Sequence, residues 1–272
     1  MSAASGTAVA GAALTVAPPR PVPGALVVSA ISIGLALLII AVLSVVLPFN
    51  SKPAQFLLDH GSGSIFAGVY PLTIQNVLHL LSAAALGILY RRWRRAGLEE
   101  AYLRAGFLPS DEHTLLGLDE LGPLRRMIHP HLASRAAVPV LMDAAILQAS
   151  TSRSLEQVST VMDHKLELMS HRLDLEYQII RYIAWLVPTM GFVGTVVGIA
   201  AALEGINDPA HLHMERITAG LGVAFYTTIL ALVESAVLVF IQNVVQRREE
   251  LALNAAADYC LTNLINRIYI PH

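Results

Sequence analysis

Two threonines and one glutamate stand in apolar runs that offer little other chemistry. Thr195 lies within Ile179–Leu203 and Thr228 within Ile217–Ile241. Gly191, Thr195, Gly198 and Ala202 share one helical face, with Gly194 beside it; Gly220, Ala224, Thr228, Ala231 and Ser235 share another. The two runs are traversed in opposite directions. Thr195 lies nine residues inside Glu204, roughly 13 Å by helix rise, and Thr228 eleven inside Ile217, roughly 16 Å. The hydroxyls therefore fall at nearly one level. Two kinds of chemistry fit. Small faces permit close helix contact, with each hydroxyl bonded to a backbone carbonyl. Alternatively, rings of threonine from several copies line a pore and offer oxygens to water or to a dehydrating cation.

Glu234 is the only acid within either run. A carboxylate inside an apolar span is costly unless it is protonated, paired or facing water. It follows Thr227 by seven residues, on nearly the same face, and is expected to line the inner end of the path, relaying protons or concentrating cations. A neutral acid bonded to a neighbouring helix is the alternative. Gln75, His79 and Ser82 make a polar stripe in Pro71–Tyr90, expected to hydrogen-bond between helices rather than to relay protons. Glu204, Asp208, His211, His213 and Glu215 are read as a solvated acidic mouth that raises local cation concentration. Arg181, Tyr182 and Trp185 read as an interfacial anchor, and His129 and His131, flanking Pro130, receive no chemistry.

The elements that position these residues are helices. The chain has 272 residues, 55% hydrophobic and 14% charged, with mean hydropathy +0.59, far less charge than the roughly 25% of a soluble domain. Four segments, 25–47, 71–90, 179–203 and 217–241, approach the ~20 apolar residues that cross a bilayer. The first is uncharged and too long for a cleaved leader, so it reads as a retained span. Eleven Lys and Arg fall in 91–178 and three after the fourth segment, against one each in 48–70 and 204–216. That asymmetry predicts both termini and the 91–178 region in the cytoplasm. The fold class expected is all-α: a polytopic membrane protein with four transmembrane helices and long cytoplasmic helical extensions.

Residues 1–24, rich in Ala, Gly, Pro, Ser and Thr, are expected to be a disordered tail, and 48–70 a simple connection. Region 96–150 reads as a small helical subdomain broken at Gly106, Pro109, Gly117, Gly122-Pro123, Pro130 and Pro139. From Ser154 to Ile180, Leu155, Val158, Met162, Leu166, Met169, Leu173 and Tyr177 recur at steps of three and four, which predicts an amphipathic helix running into the third span. Residues 242–272 form a C-terminal cytoplasmic helix. One cysteine, Cys260, excludes a disulfide framework and a Cys-rich metal site. No cofactor is expected. Nor is nucleic acid, since the one dense basic run, Arg91-Arg92-Trp93-Arg94-Arg95, abuts a span.

The run Val187-Pro188-Thr189-Met190-Gly191-Phe192-Val193-Gly194-Thr195-Val196-Val197-Gly198-Ile199 resembles the signature span of the MotA/TolQ/ExbB proton-channel family. Gly220–Leu232, with Ala224 and Thr227-Thr228, resembles that family's following span. The resemblance covers about 180–235. It implies a homopentamer around a dimer of a single-span membrane partner whose aspartate carries the proton. Proton or sodium flow would then drive an envelope machine in the bacterial inner membrane. It also implies Thr195, Thr228 and the adjacent Thr227 on the ion path, with Pro188, Gly191, Gly194 and Gly198 structural beside it. The chain has Val223 where ExbB-like members usually carry a glutamate, and Val237 where they often carry a proline. Two spans before the cytoplasmic region match flagellar stator subunits instead. A purely structural membrane scaffold is the competing expectation. An enzyme is a weaker one, because the chain lacks His-Glu-x-x-His, Gly-x-Ser-x-Gly and paired membrane aspartates.

Overall fold

The computed structural model describes residues 23–61, 64, 67–108, 115–205 and 214–269. The tail expected over 1–24 lies outside them as far as residue 22, as do Pro109, Asp208, His211 and His213. Seven α-helices carry the described chain: α1 Ala25–Val46, α2 Lys52–Leu58, α3 Ile74–Ala105, α4 Leu118–Ile128, α5 Ala137–Ser152, α6 Leu155–Glu204 and α7 Met214–Asn263. Two short strands, β1 Leu116–Gly117 and β2 Ile268–Tyr269, pair in parallel. The chain divides into two compact units: Pro23–Arg91 with Tyr177–Val244, and Arg92–Glu176 with the chain from Val245.

In the first unit, α1, α6 and α7 each contain a stretch long and apolar enough to cross a membrane. Pro71–Tyr90 does not give a fourth of that quality. Gln75, Asn76 and His79 dilute its hydropathy, and α3 continues unbroken through the basic run to Ala105. The stretch 48–70 is more than a connection. The Ser51 hydroxyl accepts from the Ala54 amide, Pro53 sits in the first turn, and Asp59 closes α2 in the left-handed region at φ 53°. Ala54 and Leu58, one turn apart, are fully buried. The helix has only seven residues, too few for a periodic signal. Its carbonyls then hold α3: the Thr73 hydroxyl donates to the Leu58 carbonyl at 3.0 Å.

The second unit has its own core. Leu121, Leu124 and Ile128 of α4 and Val138, Leu141, Met142 and Ile146 of α5 pack with Val158 and Met162 of α6 and Ala256 and Cys260 of α7. Each fully buried aliphatic side chain here contributes about 1.5–3 kcal/mol. Two expected breaks are absent. Pro139 falls in the first turn of α5, where its missing N–H has no intrahelical acceptor to lose, and α4 runs through Pro123. The amphipathic stretch after Ser154 and the apolar run 179–203 are one helix of 50 residues. It starts where the Ser154 hydroxyl accepts from the Gln157 amide. The C-terminal expectation is likewise continuous with the preceding apolar run, in a second helix of 50 residues.

Candidate functional site

Helices α6 and α7 meet along a seam that only glycine permits. A Cβ on Gly198 would lie 2.6 Å from both the Ala224 nitrogen and the Gly220 carbonyl oxygen, and one on Gly220 would lie 2.7 Å from the Gly198 carbonyl. These are backbone atoms and cannot swing aside. Gly191 faces Ala231, and Gly194 faces Thr227, whose side chain is fully buried in the notch. The Thr227 hydroxyl donates to the Val223 carbonyl of its own helix at 2.8 Å. Thr227 is thus packed against Gly194 within this chain, next to Thr228.

At the middle of the seam the Thr195 and Thr228 hydroxyls hydrogen-bond each other, a contact that their equal depth in antiparallel helices allows. Both are half-buried. Thr195 also lies within reach of the Gly191 and Ala224 carbonyls, each at 3.3 Å; Thr228 reaches the same two at 3.2 and 3.1 Å. A hydroxyl has one proton and two lone pairs. The pair can thus hold one proton between its oxygens and one on a carbonyl, and reversing both bonds costs no contact. The oxygens keep acceptor capacity for water or a cation.

Pro188 leaves a mark on the same seam. Having no N–H, it frees the carbonyl one turn earlier, at Ala184, and the Ser235 hydroxyl of α7 donates to that carbonyl at 3.0 Å. A proline inside an apolar helix is tolerated when a neighbour's hydroxyl satisfies the released group.

Glu234 turns to a different neighbour. His79 Nδ1 lies 2.6 Å from Glu234 Oε1, and the Ser82 hydroxyl donates to Oε2. The other ring nitrogen, Nε2, is 2.9 Å from the Leu57 carbonyl of α2. A carbonyl can only accept, so Nε2 must carry hydrogen, and the tautomer is fixed. One mobile proton is then shared between Nδ1 and the carboxylate. One turn before His79, Gln75 is fully buried with no hydrogen-bond partner for its amide among the described residues, the kind of group that ordered water satisfies.

The sequence singled out the Gln75–His79–Ser82 stripe and Glu234 separately. The structure brings them together. The signal was available: apart from Arg181 at one end, His79 and Glu234 are the only ionisable groups of the 25–47, 71–90, 179–203 and 217–241 segments besides Tyr90, Tyr182 and Tyr226. Glu204 and Glu215, the described members of the expected mouth, are exposed, and Tyr182 and Trp185 are exposed with ring centroids 6.0 Å apart. Among the described residues no group of His, Cys, Asp and Glu is arranged to hold a metal.

Comparison with curated proteins and with solved structures returns no match to this chain. Comparison with protein-family models does. Residues 133–256 match the MotA/TolQ/ExbB proton channel family, a stretch that includes α5, α6 and the whole Thr195–Thr228 seam and reaches well beyond the 180–235 read from motifs. This apolar, helical membrane protein carries, over residues 133–256, a domain of the MotA/TolQ/ExbB proton channel family.

Proposed function

We propose that the chain is the ion-conducting and stator subunit of an envelope machine, passing protons between its α6–α7 seam and a single-span partner. The observation that carries this reading is the Thr195–Thr228 hydroxyl pair, which lies inside the family-matched stretch with acceptor capacity to spare. In this reading several copies, five by family resemblance, surround two copies of the partner, whose aspartate takes the proton. Thr195 and Thr228 line the path. Thr227, held in the Gly194 notch, keeps Thr228 in register. Glu234, with His79 as its proton-sharing neighbour, is the titratable group farther along α7. Pro71–Tyr90 serves as a fourth span, shielded by the other helices. Both termini then face the cytoplasm of a bacterial inner membrane, consistent with the basic 91–178 region.

A second reading has its own support. Each threonine hydroxyl also finds backbone carbonyls within the chain, which a non-conducting scaffold would need and a channel would not. Proton uptake into liposomes separates the two. Co-reconstituted with its single-span partner, the protein should pass protons, and Thr195→Val or Thr228→Val should reduce flux at least about tenfold, the loss expected when one positioned proton-handling group is removed. Flux unchanged in both variants would overturn the channel reading and leave the scaffold.

A further inference from the structure

The second unit contains a charged pocket that conduction does not use. Its volume is about 260 Å³, and it is lined by Arg92 and Arg95 of α3, Arg135 ahead of α5, Lys165 and Arg172 of α6, and the acids Glu99, Glu176 and Glu249. The floor is built of charge out of contact with water: Arg92 is 1% exposed, Glu249 5% and Glu99 6%. Buried charges persist only when paired. Arg92 pairs with Glu176 and, at 3.1 Å, with Glu249. Glu99 accepts the Ala137 amide at 2.7 Å, and burial pushes its carboxyl up to about 7, so it is about half neutral at physiological pH.

Two of the three acids are thus committed to Arg92 and the third is partly discharged. The cations around the rim are not matched. Among the described residues Arg135, Lys165 and Arg172 make no ion pair, and Arg95 has only the field of Glu99. Apolar side chains, Leu168, Met169 and Leu173 among them, complete the wall. An excess of cations converging on a cavity of this size suits a small, multiply charged anion, and arginine forks suit phosphate oxygens in particular.

We infer that this pocket binds a phosphate group, held by Arg95, Arg135, Lys165 and Arg172 over the buried Arg92 floor. The inference does not depend on conduction. The group has two possible sources. Arg92 follows Tyr90, the last residue of an apolar run, by two positions, which suits the phosphodiester of an anionic lipid; a soluble phosphate compound has the same chemistry.

The test uses the full chain purified in neutral detergent free of phospholipid. One arm titrates inorganic phosphate and follows heat of binding. The other supplies phosphatidylglycerol in mixed micelles and counts retained lipid by native mass spectrometry. Lys165→Gln/Arg172→Gln, two half-buried or exposed positions on α6, should weaken binding about tenfold or more. Arg126→Gln/Arg153→Gln, which removes the same charge from exposed sites outside the pocket, should leave it unchanged. Arg135→Gln provides an independent variant on another element and should also weaken binding. Binding in the phosphate arm assigns a soluble ligand; binding only in the lipid arm assigns a membrane one. Binding in neither arm, or equal losses in pocket and control variants, overturns the inference.

Discussion

Helix α7 meets two neighbours by opposite means. Toward α6 it presents glycine, alanine and threonine, and the two backbones approach until no Cβ fits between Gly198 and Gly220. Every polar atom there is a hydroxyl or a carbonyl, and none changes charge. Toward the apolar part of α3, 74–90, it presents one carboxylate, answered by an imidazole and a serine. The first contact derives from shape, and the hydrogen bond between its two threonine hydroxyls can reverse without cost. The second derives from charge, with His79 and Ser82 both directed at one carboxylate. The residues of the first contact lie within the family-matched stretch, whereas His79 and Ser82 lie outside 133–256. A seam inside the matched stretch and a contact that reaches outside it to α3 thus sit on two faces of one helix.

The largest test of that contrast breaks the charged contact. Glu234→Leu should strand His79 and destabilise the protein by about 3–5 kcal/mol, whereas His79→Leu/Glu234→Leu should recover most of the loss. Thermal denaturation in detergent of the wild type, Glu234→Leu, His79→Leu and the double variant gives the cycle. Additive losses would mean that the two side chains are not coupled, and the contrast with the seam would fail.

The support for His79 can be tested through pH. Its Nε2 bonds the Leu57 carbonyl, two residues before Asp59. Burial pushes Asp59 up to about 6 from an ordinary 3.8, with the Ser64 hydroxyl pulling the other way. The folded state then binds this proton more tightly than the unfolded chain. Its contribution is complete below about 3.8 and is lost as pH rises through about 6, amounting to about 3 kcal/mol at roughly 1.36 kcal/mol per unit. The midpoint of unfolding should fall over that window in the wild type and remain flatter in Asp59→Asn. An unchanged slope in the variant would place the titration elsewhere.

The seam is sharpened by a single methyl. Gly198→Ala should cost about 1–3 kcal/mol as the helices part. Gly34→Ala in α1, where a Cβ meets nothing within 4 Å, should be neutral or gain up to about 1 kcal/mol from helix propensity. Equal midpoints for the two variants would show that close approach does not hold α6 to α7.

These two contacts also differ in how they could be read. The seam was legible from residue size and helical spacing alone, and counting residues inward from a shared outer edge brought Thr195 level with Thr228. The His79–Glu234 contact was legible only as two lone ionisable side chains in apolar segments, because its partners lie 155 positions apart and their meeting depends on where α2 sets the start of α3. α2 itself was hidden: one serine cap and two apolar residues are too small a pattern to separate from a loop. Prolines misled in the other direction. Their stop signal depends on position within a helix, and Pro139 sits where a helix tolerates it. The continuity of α6 from its amphipathic start into the apolar run was read from the sequence, whereas that of α3 through its arginines was not, because a basic run reads as the end of a span.

The hydroxyl that Ser235 lends to Ala184 makes α6 and α7 share one setting. Ala184 is released only because of Pro188, and within this chain α7 supplies the hydroxyl that fills it. Turning α7 by one residue, about 100°, would carry Ser235 away and leave a bare carbonyl in an apolar surround. The contact therefore acts as a detent: it favours a discrete rotational position of one helix against the other and resists gradual drift between positions.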